Sequence, residues 1–284
     1  MVSLLMPTSL PASASGAIAA RRPSNRSVAL DLSLILPTYN ERENLEKLFA
    51  RLDCVLAGHD FEAILVDDNS PDGTWAEAEW LQEKYAWLRV TRRGHERGLS
   101  SAVICGFRQA HGKILAVMDA DLQHDESRLP ELLQQMDRAD FVIATRRAAG
   151  GSNGQWNWWR RLTSQVATLL AHHIGQVALT DPMSGFFAMR RQLFVMMDDG
   201  TLCPQGYKIL LYLYSRAVRQ FGSDRLRLQE VGYQFRKRES GRSKLSWKII
   251  FEYLFMLMEL RWHSGFRVGR CFPWLCLCFD PLAW

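Results

Sequence analysis

Apolar and polar positions alternate in blocks along the chain from Val28 onward. Short, continuously apolar runs are each followed by a longer segment in which apolar residues recur at helical spacing. The runs predicted to be buried strands are LSLILP (32–37), FEAILVDD (61–68), LRVTRR (88–93), KILAVMDAD (113–121) and FVIAT (141–145). The helices predicted between them are NERENLEKLFARLDCVL (40–56), WAEAEWLQEKY (75–85) and GLSSAVICGFRQA (98–110).

This alternation predicts an α/β fold, in which an open, mostly parallel sheet carries helices on both faces. Ligands of such sheets bind at the carboxyl ends of the strands. Polar clusters follow three of the predicted strands at those ends: PTYNE (37–41), DDNSPDG (67–73) and DADLQHD (119–125). We therefore expect the three clusters to form one site at a single edge of the sheet.

Composition divides the chain into three parts. Residues 1–27 contain no acidic residue and are rich in Ala, Ser and Pro, which predicts a disordered tail, with an organelle transit peptide as the alternative. Residues 28–232 form the predicted α/β domain. Residues 233–284 contain a basic run, FRKRESGRSKLSWK, followed by an amphipathic stretch, IIFEYLFMLMELRW. This order predicts an interfacial helix on an anionic membrane surface, too short to cross a bilayer unaided.

The overall charge narrows the class of partner. A net charge of +5 and a pI near 9.0 suit phosphate-bearing small molecules or an anionic membrane surface, and are too weakly basic to predict nucleic-acid binding. The six cysteines form no CxxC pair, so neither a zinc site nor a secreted disulfide framework is indicated. We expect a reducing compartment.

Two aspartates one residue apart give the clearest chemical signal. On an extended segment, Asp119 and Asp121 would point to the same side, because side chains alternate along a strand. Their oxygens could then share one hard cation, Mg²⁺ or Mn²⁺, with a nucleotide diphosphate completing its shell. Gln123 repeats the spacing and could supply a neutral oxygen. The alternative is an acidic, solvated strand end.

The cluster after the first strand has the composition of a base-binding loop. Tyr39 could stack on a base, and Glu41 could accept a hydrogen bond from the base. The alternative is a plain strand-to-helix connection in which Asn40 or Glu41 caps the helix.

Further polar residues follow the other strands. Asp68 could hold ribose hydroxyls or a base edge, and Arg146 could neutralise a phosphate or simply be solvated. Asp181 could orient a sugar hydroxyl or the acceptor, or it could form an Asp-Pro turn. His124 fits a surface or packing position better than a ligand.

Eight motifs, taken in order, resemble the family-2 GT-A glycosyltransferases, and among these the dolichyl-phosphate (polyprenyl-phosphate) mannosyltransferase branch. The motifs are LILPTYNERENL, ILVDDNSPDGT, RGLSSAVICGF, MDADLQHD, ATRR, DPMSGFF, GYKILL and GRSKL. The resemblance runs from about Leu32 to Trp262 and implies a GT-A, Rossmann-like sheet.

The resemblance also implies roles for individual residues. It implies base and nucleoside contacts for Pro37, Tyr39, Glu41 and Asp68, a metal site at Asp119, Asp121 and Gln123, and donor contacts for Ala120. It implies that the donor diphosphate and the acceptor phosphate are held by Arg146, Arg238 and Lys244. Catalysis would then depend on Asp121, Arg146, Arg238 and Lys244.

The implied activity is metal-dependent transfer of mannose from GDP-mannose to a polyprenyl (dolichyl) phosphate, with inversion, at the cytoplasmic face of a membrane. Some members of the branch rely on a membrane partner subunit. Two alternatives stay open: the same chemistry with UDP-glucose or another UDP-sugar, and an inactive nucleotide-sugar-binding scaffold at the membrane. The intact acidic pair and the basic residues favour the enzyme over the scaffold.

Overall fold

Seven strands form one sheet, in the order β3-β2-β1-β4-β6-β5-β7. The structure is a computed structural model and describes residues 30–94, 96–148, 179–200, 202 and 208–236. The strands are β1 (Leu32–Thr38), β2 (Phe61–Asp67), β3 (Leu88–Arg92), β4 (Ile114–Val117), β5 (Phe141–Thr145), β6 (Phe187–Arg190) and β7 (Leu228–Gly232). All pairings are parallel except those of β6, which runs antiparallel to both β4 and β5.

The helices pack on both faces of the sheet. They are α1 (Arg42–Val55), α2 (Thr74–Leu81), α3 (Leu99–Gln109), α4 (Leu129–Gln135), α5 (Arg191–Met197) and α6 (Ile209–Phe221). One core joins α1, α2 and α4 to one face, and a second core joins α3, α5 and α6 to the other. The strands are apolar on both faces because helices cover both, as is usual for parallel sheets.

The topology positions the site. From β1 the chain proceeds to β2 and β3 on one side and then returns to β4 on the other, so the strand order reverses between β1 and β4. Crevices at such reversals are where ligands of open α/β sheets bind. The carboxyl ends of the parallel strands and the amino end of β6 meet at this edge, because Val117 of β4 pairs with Phe187 of β6.

The predicted α/β fold is confirmed, with three differences in detail. The fourth strand ends at Val117 and not at residue 121, so the aspartate pair lies in the loop beyond it. The first helix begins at Arg42, and Asn40 adopts a φ of 60°, so Asn40 is not its cap. The antiparallel strand β6, the strand β7 and the helices α4, α5 and α6 were not predicted. Among the described residues, no helix has the length and apolar character needed to span a bilayer. The predicted tail (1–27) and the interfacial helix lie outside the described residues.

Candidate active site

The loops after β1 and β2 are hydrogen-bonded to each other. The Asn40 backbone N–H donates to Ser70 Oγ at 3.0 Å, and the Glu41 N–H donates to Thr74 Oγ1 at 3.0 Å. Glu41 occupies the N-cap position of α1 but makes no side-chain capping bond; its carboxylate accepts from Asn44 Nδ2 at 2.6 Å. The PTYNE and DDNSPDG clusters therefore form one surface, as their positions in the sequence predicted.

Asp67 holds the turn after β2. Its carboxylate accepts from the Ser70 backbone N–H at 2.8 Å and from Ser70 Oγ at 2.5 Å, with Thr38 Oγ1 at 3.3 Å. Burial raises the pKa of Asp67, and these donors oppose the rise. Asp67 therefore stabilises part of the rim, by which we mean the loops that follow β1 to β5 at the carboxyl ends of the parallel strands.

Asp68 lies beside it in a buried ion pair that sequence reasoning missed. Arg93 Nε donates to Asp68 Oδ1 at 2.6 Å, and the Gly98 N–H donates to Oδ2 at 2.8 Å. Arg93 also donates to Ser101 Oγ at 2.9 Å and to the Gly98 carbonyl at 3.1 Å. Both side chains are almost fully buried, so the pair fixes the end of β3 against the end of β2. The signal was the double arginine that ends the third apolar run.

Three of the proposed base contacts flank this pair. Pro37 is buried near the end of β1, whereas Tyr39 and Glu41 are half-buried at the rim. The Arg97 guanidinium lies 5.5 Å from the centroid of the Tyr39 ring. The structure thus places Tyr39, Glu41 and Asp68 on adjacent loops.

The second half of the rim begins beyond β4, where Asp121 is buried and Asp119 is partly exposed. Asp121 Oδ1 accepts from the Gln123 N–H at 3.1 Å, and Leu122 between them has a φ of 61°. This loop turns sharply, so the alternation expected of a strand does not apply to the two aspartates. The Gln123 side-chain amide donates to the Arg236 carbonyl at 3.2 Å, and Ala120, in the same loop, is buried.

Asp119 is held between a histidine and a glycine. His124 Nε2 lies 3.1 Å from Asp119 Oδ2, and a Cβ built at Gly185 would lie 2.9 Å from the same oxygen. Asp119 Oδ1 is buried and has no hydrogen-bond partner among the described residues. His124 is buried as the packing interpretation predicted, but it also contacts a proposed metal ligand, which sequence reasoning missed.

These residues fit a divalent cation. The unpartnered oxygen of Asp119 lies on the same loop as Asp121 and Gln123, and hard cations take oxygen ligands of these types. Within the described ranges, no group of three or more His, Cys, Asp or Glu side chains is arranged to hold a metal. Two carboxylates and an amide match the smaller ligand set that Mg²⁺ sites use when substrate phosphates complete the shell.

Arg146 follows β5 and pairs with Asp181. Its Nε and Nη2 donate to the two carboxylate oxygens at 2.7 and 2.8 Å, and both residues are buried. Burial alone would raise the pKa of Asp181, but Arg146 lowers it below its ordinary value. The guanidinium also lies 5.4 Å from the ring centroid of Phe235. Arg146 is thus a fixed cation at the rim and not a solvated side chain.

Lys208, just before α6, adds a second cation near Arg146. It keeps some solvent exposure, yet burial by the surrounding protein and repulsion from Arg146 lower its pKa to about 8, while Asp181 and Asp119 oppose the shift. The motif GYKILL contains this lysine, but sequence reasoning gave it no role. The other predicted phosphate ligands, Arg238 and Lys244, lie outside the described residues.

Arg236, the last residue that the structure describes, is hydrogen-bonded to the loop after β4. The Arg236 backbone N–H donates to the Gln123 carbonyl at 2.8 Å, and its guanidinium contacts Glu126 at 2.6 Å and Asp125 at 2.7 Å. Arg236 belongs to the basic run that was predicted to bind an anionic membrane surface. It instead joins β7 to the loop that carries Asp119 and Asp121.

Comparisons with known proteins identify the family of this chain. The family description "Glycosyl transferase family 2" matches residues 33–195, more than half of the 284-residue chain. The chain belongs to glycosyl transferase family 2. Within this family it falls in the branch of the dolichol-phosphate mannosyltransferases, and it is accordingly a glycosyltransferase.

Curated relatives define that branch. A dolichol-phosphate mannosyltransferase of Pyrococcus furiosus is 40% identical over 273 residues, covering 87% of this chain and 72% of the relative. One from Saccharomyces cerevisiae is 36% identical over 237 residues, covering 82% and 88%. The polyprenol monophosphomannose synthase of Mycolicibacterium smegmatis is 33% identical over 255 residues, covering 88% and 91%.

Solved structures confirm the GT-A fold. Glucosyl-3-phosphoglycerate synthase from Mycobacterium tuberculosis, in complex with Mn²⁺, UDP-glucose and phosphoglyceric acid, superposes with a TM-score of 0.60 at 20% identity, covering 80% of each chain. Another structure of this synthase gives a TM-score of 0.61 at 19% identity, covering 82% and 81%. At this identity the likeness concerns the fold, and it carries no information on the donor or acceptor of this glycosyltransferase.

Proposed function

We propose that this glycosyltransferase transfers mannose from GDP-mannose to a polyprenyl (dolichyl) phosphate, with inversion at the anomeric carbon. The observation that carries the proposal is the arrangement at one edge of the sheet, where Asp119 and Asp121 share a rim with the cations Arg146 and Lys208. A metal-bound diphosphate needs negatively charged groups that hold the metal ion and positively charged groups near the phosphates. The names of the relatives support mannose as the sugar and a polyprenyl phosphate as the acceptor.

The nucleoside would bind across the ends of β1 and β2. Tyr39 would stack on the guanine and Glu41 would accept from its N–H groups, with Pro37 beneath them. Asp68 would contact the nucleoside while Arg93 keeps it in place. Because Asp68 and the backbone of Asn40 and Glu41 are already hydrogen-bonded to neighbouring segments, little backbone order would have to be created there on binding.

The diphosphate would lie toward β4 and β5. Asp119, Asp121 and Gln123 would hold Mg²⁺ or Mn²⁺, which would neutralise the charge of the departing GDP when bound. Ala120 would line the donor, and Arg146 would add its positive charge on the other side. We place Lys208 beside Arg146 in this role, because its pKa is affected by the charges of Arg146, Asp181 and Asp119.

No catalytic base is required by this scheme. A polyprenyl phosphate is already anionic near neutral pH and can attack the sugar directly, so alignment and charge neutralisation are the work left to the protein. Arg238 and Lys244 would steer the acceptor phosphate, and direct displacement would convert the α-linked donor into a β-linked product. The amphipathic segment after residue 248 would hold the enzyme at the cytoplasmic face of a membrane, alone or with a partner subunit.

A donor panel tests the proposal. The full chain would be incubated in detergent with dolichyl or undecaprenyl phosphate and radiolabelled GDP-mannose, UDP-glucose or other UDP-sugars. We expect label in the lipid fraction from GDP-mannose alone, released by β-mannosidase. Label in the lipid from UDP-glucose alone would contradict the assignment of GDP-mannose as the donor. If no donor gave transfer while the protein still bound nucleotide, the result would favour the inactive scaffold.

A further inference from the structure

His124 lies in the loop after β4 and is buried in a pocket of aromatic side chains. Only 4% of it is exposed, and its ring centroid lies 5.5 Å from those of Phe186 and Tyr233 and 5.7 Å from that of Phe235. Two of these contacts are edge-on, so the imidazole cannot rotate without displacing large side chains. The pocket therefore fixes the direction of each ring nitrogen.

One of those nitrogens faces Asp119. His124 Nε2 lies 3.1 Å from Asp119 Oδ2, whereas Nδ1 is buried without a partner among the described residues. A proton on Nδ1 would leave a buried donor unpaired and would turn two lone pairs toward each other at Nε2. The contacts therefore assign the proton to Nε2, which donates to Asp119.

This hydrogen bond makes the two oxygens of the Asp119 carboxylate different. Asp119 Oδ2 is occupied by His124. Gly185 packs against the whole carboxylate, because a Cβ there would lie 2.9 Å from Oδ2 and 3.2 Å from Oδ1. Asp119 Oδ1 is the oxygen that remains buried and unpartnered. The carboxylate is thus held in one orientation before any ligand arrives.

We propose that His124 is a positioning residue, which holds Asp119 so that Oδ1 is presented to the divalent cation. The inference rests on the proposed function, because it assumes that Asp119 is a metal ligand. Groups that hydrogen-bond a metal ligand fix its orientation, and their loss typically costs about 10–100-fold in metal affinity. His124 would do this through its hydrogen bond and through the pocket that holds its ring.

Three substitutions separate the hydrogen bond from the packing. His124→Gln can place an amide N–H near the position of Nε2, His124→Asn carries the same group one methylene short of it, and His124→Phe fills the pocket without a donor. His111→Phe, at a histidine whose side chain is 68% exposed, is the control. Mn²⁺ binding would be measured by electron paramagnetic resonance of the free ion, in the presence of saturating GDP.

We expect His124→Phe and His124→Asn to weaken Mn²⁺ binding about 10–100-fold, and His124→Gln and His111→Phe to remain within a few-fold of wild type. GDP binding in EDTA should be unchanged in all four. Wild-type Mn²⁺ affinity in His124→Phe would overturn the inference. If that variant does not fold by circular dichroism, the Gln and Asn variants decide, and equal affinities would overturn it.

The same measurement separates this inference from the proposed function. If wild-type protein binds Mn²⁺ with GDP and transfers mannose while the histidine variants behave like wild type, only the role of His124 is wrong. If wild-type protein does not bind Mn²⁺ in the presence of GDP, the metal site and the role of His124 are both contradicted.

Discussion

The two halves of the rim differ in how completely they satisfy their own polar groups. At the ends of β2 and β3, all four carboxylate oxygens of Asp67 and Asp68 accept hydrogen bonds from Ser70, Arg93 or Gly98. At the end of β4, Asp119 retains a buried oxygen without a partner among the described residues. Within the part of the chain that the structure describes, the first half satisfies all the oxygens of its two aspartates, whereas the second leaves one oxygen of Asp119 without a partner.

Charge does not follow the same division, because burial disfavours charged groups on both sides. Burial raises the pKa of Asp68 although Arg93 pairs with it, and burial lowers the pKa of Lys208 beside the pair Arg146 and Asp181. The two sides therefore differ in the hydrogen bonding of their carboxylates. In the proposed function this difference corresponds to two roles. The loops after β2 and β3, which we call the nucleoside side, would provide rigidity, and the loops after β4 and β5, which we call the phosphate side, would bind the metal ion and the diphosphate.

The largest expected effect comes from removing one carboxylate on the phosphate side. Asp121→Asn keeps the shape and can still accept from the Gln123 N–H, so the loop should persist. We expect the rate of mannose transfer to fall on the order of 10³-fold, because a metal contributes several kcal/mol of transition-state stabilisation. The exposed Asp137→Asn is the control. Equal rates in the two variants would contradict the metal assignment.

Breaking the buried pair on the nucleoside side should affect stability instead. Arg93→Met leaves Asp68 as an uncompensated buried charge, which typically costs about 3–5 kcal/mol. Arg92→Met removes the neighbouring exposed arginine and should cost less than about 1 kcal/mol. Urea unfolding monitored by circular dichroism would compare the two. If Arg93→Met were no less stable than Arg92→Met, the nucleoside side would not be the rigid half.

A single methyl group tests how tightly Asp119 is held. Gly185→Ala would place a Cβ 2.9 Å from Asp119 Oδ2, so the carboxylate or the backbone must shift. We expect the concentration of Mn²⁺ that gives half-maximal activity to rise about 10–100-fold. Gly94→Ala is the matched control, because a Cβ there meets nothing within 4 Å. An unaltered Mn²⁺ dependence for Gly185→Ala would mean that Asp119 has room to move.

The smallest expected effect is the pH dependence contributed by Lys208. Its pKa is about 8 in the folded chain against an ordinary value of 10.5, so between these values the unfolded state binds more protons and the free energy of unfolding should rise with pH. Comparing wild type with Lys208→Met, in EDTA without nucleotide, isolates this contribution. Lys113→Met, at an exposed lysine, should change nothing. Parallel curves for wild type and Lys208→Met would contradict the lowered pKa.

The strands and the rim clusters were predictable because each depends on local pattern. Continuous apolar runs indicate parallel strands covered on both faces, and the polar clusters that follow them must meet at one edge. Strand β6 was not predictable in this way. It lies between β4 and β5 and runs against both, an arrangement that depends on pairing across the sheet and leaves no local signal.

The pairings within the site were not predictable for a related reason. Asp68 with Arg93 and Arg146 with Asp181 join residues 25 and 35 positions apart, and a sequence does not specify which distant charges meet. His124 and Asp119 are only 5 positions apart, but their contact depends on the left-handed turn at Leu122. The chemical types at the rim followed from the sequence, whereas their partners required the fold.

The dependence of mannose transfer on a divalent ion tests the central claim most directly. The rate of transfer from GDP-mannose to dolichyl phosphate would be measured in excess EDTA and again after addition of excess Mn²⁺. We expect no detectable product in EDTA and full recovery with Mn²⁺ for wild type, with no recovery for Asp121→Asn. A wild-type rate in EDTA equal to the rate with Mn²⁺ would contradict the account.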